Sequence, residues 1–105
     1  MKRYEVLVSD KANEDMDDIY NYIAETLLEP AIAAKQYDRI ADAILTLEEM
    51  PERIRLMYSE PERNKGIRPL IVDNYTVFFV INGDSVHIAR VLYSASNIGK
   101  RLAEE

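Results

Sequence analysis

A chain of 105 residues, 48% hydrophobic and 30% charged, has room for one modest core, and a single domain over residues 1–105 is expected. It has no cysteine, which excludes a disulfide framework or a thiolate metal centre and suits a reducing compartment. The formal net charge of −6 argues against indiscriminate nucleic-acid binding. With no long apolar stretch and no secretory-type leader, the expectation is a cytoplasmic protein with no membrane partner.

The charge is uneven. Residues 1–50 carry five cations against twelve carboxylates, whereas residues 51–105 carry eight cations against seven carboxylates. The cationic groups therefore belong to the second half of the chain, where a local basic patch can exist beneath an acidic mean.

Tyr4 to Val8 reads as a short strand, and Ser9-Asp10 as a capping pair that opens a helix. From Lys11 the apolar positions Ala12, Met16, Ile19, Tyr20, Ile23 and Leu27 recur at helical spacing. Glu14, Asp15, Asp17 and Asp18 crowd the first turns, where the positive end of the helix dipole favours carboxylates. They point around the helix rather than converging, so no metal site is expected. Asp15 borders the buried stripe and can reach a neighbouring element. Leu28-Glu29-Pro30 breaks this helix and starts a second one, with Ala33, Tyr37, Ile40, Ile44 and Leu47 on one stripe and Pro51 as its stop. A short connector between two amphipathic helices implies an antiparallel helical hairpin.

Residues 51–65, PERIRLMYSEPERNK, have two prolines, mixed charge and no period, and read as a surface loop whose Arg53, Arg55, Arg63 and Lys65 can meet phosphate. Ile67 to Val72 forms a strand ending at Asp73-Asn74. A hairpin follows, read with Asn82-Gly83 as its two-residue turn and Ile81 paired with Asp84. That register sets Phe79 opposite Val86, Val77 opposite Ile88 and Tyr75 opposite Arg90 on a core face. It leaves Thr76, Phe78, Val80, His87, Ala89, Val91 and Tyr93 on a wetter face. Ser94 to Asn97 offers caps for a short final helix anchored by Ile98 and Leu102. The order is β-α-α-β-β-β-α: an α+β domain with the helical hairpin on one face of an antiparallel-rich sheet.

This order, together with particular strings, resembles the RelE/ParE superfamily of toxins from type II toxin-antitoxin modules. The strings are Asp15-Met16-x-x-Ile19-x-x-Tyr22-Ile23-Ala24, Ile67-Arg68-Pro69-Leu70, Asn74-Tyr75-Thr76-Val77-Phe78-Phe79, and Arg90-Val91-Leu92-Tyr93 leading into Asn97-Ile98. The chain looks closer to the ParE, plasmid-stabilisation branch than to RelE. The resemblance implies a growth-inhibiting toxin neutralised by a cognate antitoxin, with no cofactor. RelE-like members cut messenger RNA on the ribosome, and ParE-like members inhibit DNA gyrase.

Metal-free RNA cleavage needs a base, a proton donor and cations around the phosphorane, and the candidates are Arg68, His87 and Tyr93. Thr76 stands where the nuclease branch usually carries arginine, and Ser94-Ala95-Ser96 stands where it carries cations. Neither can stabilise an oxyanion as a cation does, so the residues lean away from nuclease activity; gyrase inhibition is the expectation, with a ribosome-dependent endoribonuclease or an attenuated antitoxin binder as the alternatives. Arg90 is expected to be structural, paired with Asp15, because an unpaired buried charge is costly. Phe78, Val80 and Val91 are expected to line an exposed apolar groove for the antitoxin, with Ile98 and Leu102 as further partner contacts.

Overall fold

The computed structural model describes residues 2–103. β1 (Glu5–Val8) leads into α1 (Asp10–Asn21), which continues through a π-helical turn over Tyr22–Thr26; α2 (Pro30–Leu45) runs back beside it. β2 (Arg68–Val72), β3 (Tyr75–Asn82) and β4 (Ser85–Tyr93) follow, and α3 (Ile98–Ala103) closes the chain. The sheet order is β1-β4-β3-β2, with β1 parallel to β4 and the other pairs antiparallel. A parallel return needs a long crossover, and the helical hairpin supplies it.

Local chemistry sets the ends of these elements. The Ser9 hydroxyl accepts the Ala12 N–H at 3.0 Å, capping α1, and Pro30 occupies the first turn of α2, where its missing N–H costs nothing. The stripe of Ala12, Met16, Ile40, Ile44 and Leu47 buries against Val77, Phe79, Val86, Ile88 and Val91, forming the main core. The opposite face of the sheet holds a smaller core of Ile67, Phe78, Leu92 and Leu102, with Met57, Val80 and Ile98 packed on it.

Three expectations need correction. The turn sits one residue later: Asn82 pairs with Ser85, and Gly83 alone adopts positive φ (61°), as in a turn with glycine at its first central position. Phe79 consequently pairs with Ile88 and not Val86. Second, Ala89 is an extra residue in β4, since Phe79 pairs with Ile88 while Phe78 pairs with Arg90. One bulged residue flips every side chain beyond it, so Val91 joins the main core opposite Val77, and Arg90 lies opposite Phe78 instead of Tyr75. Third, the second face is covered. Phe78 is 2% exposed and Val91 1%, Leu102 is buried, and Val80 and Ile98 are half-buried. The exposed groove expected around Phe78, Val80 and Val91 does not exist, because α3 lies over one part of that apolar surface and the bulge turns Val91 inward. Among the described residues no helix is long and apolar enough to cross a membrane.

Candidate functional site

β1 stops at Val8, opposite Ile88. There Ser9 makes the last contacts with the β4 edge: its N–H donates to the Ile88 carbonyl at 3.0 Å and its hydroxyl to the Ala89 carbonyl at 2.9 Å. Beyond that point β4 has no strand on this side, and the backbone N–H of Val91 needs another acceptor. Asp15 provides it at 3.0 Å. The same carboxylate takes a two-pronged bond from Arg90, Nε to Oδ2 at 2.7 Å and Nη2 to Oδ1 at 2.9 Å. The remaining Arg90 nitrogen, Nη1, donates to the Arg101 carbonyl on α3 at 3.0 Å. Asp15 is 5% exposed and Arg90 3%. One buried guanidinium thus ties α1, β4 and α3 together with its charge matched and its donors directed, the arrangement that makes a buried pair tolerable.

Asp15, Val91 and Arg101 of this knot also line a cleft of about 590 Å³ between α1, the open end of the β3–β4 hairpin and α3. Asp18, Tyr22, Tyr75, Tyr93 and Arg101 line it, with Ile19, Leu27 and Val91 as apolar wall. The π-helical turn matters here, because the bond from the Leu27 N–H to the Tyr22 carbonyl (3.1 Å) brings two cleft residues one wide turn apart. The Tyr75 and Tyr93 rings meet edge to face, centroids 5.9 Å apart. Burial, reinforced by the neighbouring Tyr93 and Tyr22, pushes the Tyr75 hydroxyl above its ordinary value, so it stays a neutral donor and acceptor. The cleft therefore offers aromatic faces and hydroxyls, the composition of a protein- or peptide-binding surface more than of a reaction centre.

The three residues singled out for RNA cleavage lie apart. Arg68, at the start of β2, pairs in register with Phe79, and its guanidinium donates to the Ile54 carbonyl. His87 pairs with Val80 and so belongs to the opposite face. Tyr93, 52% exposed, stands six residues further along β4, about 20 Å at strand rise. No single phosphate can touch all three. The two positions lacking family cations are occupied with each other, since the Thr76 and Ser94 hydroxyls bond at 2.7 Å. Among the described residues no group of three or more His, Cys, Asp or Glu side chains is placed to hold a metal.

Asp18, Tyr22, Tyr75 and Arg101 are the cleft residues that sequence reasoning missed. The π turn carries Tyr22 off the 3.6-residue period, and Tyr75 reads as a core residue until the bulge is known. A Tyr at both ends of the hairpin's open side was the available signal.

A family model for the ParE toxin of type II toxin-antitoxin system, parDE, matches residues 6–98. A chain of the chromosomal ParDE toxin-antitoxin system from P. aeruginosa shares the fold with a TM-score of 0.73 and 23% identity, over 87% of this chain and 96% of that one. A chain of the RelBE2 toxin-antitoxin complex from Mycobacterium tuberculosis gives 0.63 and 20%, over 91% and 97%. YafQ from E. coli gives 0.51 and 9%, over 89% and 96%. No curated protein sequence matches. At these identities the structural likenesses speak to fold alone, while the family match spans nearly all of the chain. The chain belongs to the ParE toxin family of type II toxin-antitoxin systems.

Proposed function

We propose that this toxin inhibits growth by binding DNA gyrase, without catalytic chemistry of its own, and that a cognate antitoxin holds it inactive. The observation that carries this reading is the separation of Arg68, His87 and Tyr93, which lie on different faces and at different levels of the sheet. General acid–base catalysis requires its groups within hydrogen-bond reach of the same reacting atoms. A binding poison needs only a complementary surface, and the tyrosine-lined cleft is one. Two of the structural relatives are described as toxin-antitoxin systems, which supports an antitoxin partner here.

The test is to induce the protein in cells and map transcript 5′ ends alongside chromosomal breaks and supercoiling. Breaks or lost supercoiling without new ends in translated messages is the expected result. New cuts in translated messages would reject the reading in favour of a ribosome-dependent endoribonuclease.

A further inference from the structure

Between residues 52 and 68 the sequence holds five cations, Arg53, Arg55, Arg63, Lys65 and Arg68, against three carboxylates, Glu52, Glu60 and Glu62. All three carboxylates are engaged by hydrogen bonds. Glu62 is buried and accepts the Ser59 hydroxyl at 2.7 Å. Glu60 accepts the Asn64 N–H at 2.9 Å, and Glu52 is held by the Tyr4 hydroxyl. Two of the cations are also consumed by structure: Arg53 donates to the Glu49 and Met50 carbonyls and to Thr46, and Arg68 to Ile54. Arg55, Arg63 and Lys65 remain, all exposed. Among the described residues they make no ion pair or side-chain hydrogen bond.

The loop that carries them is shaped rather than loose. The Met57 N–H bonds the Ile67 carbonyl at 3.0 Å and the Ile67 N–H bonds the Glu62 carbonyl at 3.1 Å, closing its neck. Met57 and Ile67 pack in the same apolar cluster as Ile98 and Leu102, so α3, with its exposed and unpaired Lys100, docks at the base of the loop. Tyr58, 87% exposed, stands beside this neck. The acid-rich helical hairpin packs on the opposite face of the sheet. Lys2, Arg3 and Arg39 of the first half are neutralised by Asp84, by Glu48 and Glu49, and by Asp73. The net charge of −6 thus conceals two faces of opposite character. Hairpin carboxylates that lie beyond a Debye length of about 8 Å from the loop oppose binding there only weakly.

We infer that the face formed by Arg55, Tyr58, Arg63, Lys65 and Lys100 binds the phosphate backbone of duplex DNA. This rests on the gyrase reading for its biological setting: it lets the toxin touch the DNA that gyrase holds as well as the enzyme. The contact is to phosphates and is independent of sequence.

Anisotropy of a labelled duplex oligonucleotide, titrated with the intact protein, tests it. With four phosphate contacts, raising salt from about 50 to about 200 mM should weaken binding about 150-fold. The combined variant Arg55→Gln, Arg63→Gln, Lys65→Gln and Lys100→Gln should lose most of the affinity and most of the salt slope while keeping its circular dichroism. Lys11→Gln with Lys35→Gln, a loss of exposed charge on the helical hairpin, should leave both unchanged. No binding at about 100 µM protein in low salt overturns the inference, as does an unaffected quadruple variant, equal loss in the helical control, or tighter binding to single-stranded RNA of the same length. Duplex binding that behaves as expected in a protein that does not touch gyrase would sink the gyrase reading and leave this surface standing. Gyrase inhibition with unaltered duplex affinity in the quadruple variant would do the reverse.

Discussion

Replacing Asp15 by alanine removes the acceptor for three hydrogen bonds at once: two from Arg90 and one from the Val91 N–H. The guanidinium left behind is 3% exposed and keeps the Arg101 carbonyl as its acceptor in the knot. Breaking one side of a buried pair costs about 3–5 kcal/mol, because the guanidinium loses the carboxylate that faces it in a low-dielectric site. A domain of this size holds about 5–15 kcal/mol in total, so the variant should sit at the edge of unfolding. Urea denaturation followed by circular dichroism should show the midpoint falling by about 2 M, given a slope of about 2 kcal/mol per M. Asp15→Leu combined with Arg90→Met removes both charges and should recover at least half the loss, leaving about 1–3 kcal/mol for the unsatisfied Val91 N–H and Arg101 carbonyl. A midpoint for Asp15→Ala that barely moves, or a double variant no more stable than Asp15→Ala, would refute the claim that this pair holds α1, β4 and α3 together.

Other substitutions probe the remaining parts. His87→Gln should retain growth inhibition within about twofold in a plating assay, whereas loss of a general acid or base would cost about 10²–10⁴-fold in rate. Leu102 is buried against Phe78 and Leu92, and Leu102→Ala should cost about 2–3 kcal/mol in thermal or urea unfolding, the low side of the usual range for a site near a chain end. Hydrogen bonds from Arg39 and then Gln36 hold the Asp73 carboxyl below the usual carboxylate range. Its contribution to stability is therefore present above the unfolded value of about 4 and lost as pH falls through the lower folded value. Wild type and Arg39→Gln should differ in melting temperature at neutral pH and converge in strong acid; a gap that widens in acid would contradict this assignment.

The element order is legible in the sequence because each element carries its own signal: a serine cap, two helical stripes, a proline between them, and alternating β-branched and aromatic runs around Asn82-Gly83. The closeness of Asp15 and Arg90 is legible for a physical reason, since a charge on a strand flanked by apolar residues needs a partner and Asp15 is the acid bordering the buried stripe. What escapes is whatever depends on long-range geometry. Nothing local marks Ala89 as a bulge, yet it decides which of Arg90 and Val91 faces the main core. The pairing of β1 with β4, 80 residues apart at Glu5 and Ser85, has no local trace either. The covering of Phe78 by α3 follows from where the chain turns after Tyr93, and a six-residue helix with two apolar anchors gives little warning that it seals a face. The same limit hid the cleft, whose tyrosines come from three separate elements.

Purified gyrase supercoiling relaxed plasmid in the presence of ATP offers the most direct test of a non-catalytic toxin acting on that enzyme. Adding this protein should block supercoiling in proportion to its concentration, with His87→Gln equally effective and the antitoxin restoring activity. Undiminished supercoiling at a large molar excess of folded toxin, alongside cleavage of message in a translating extract, would contradict the account.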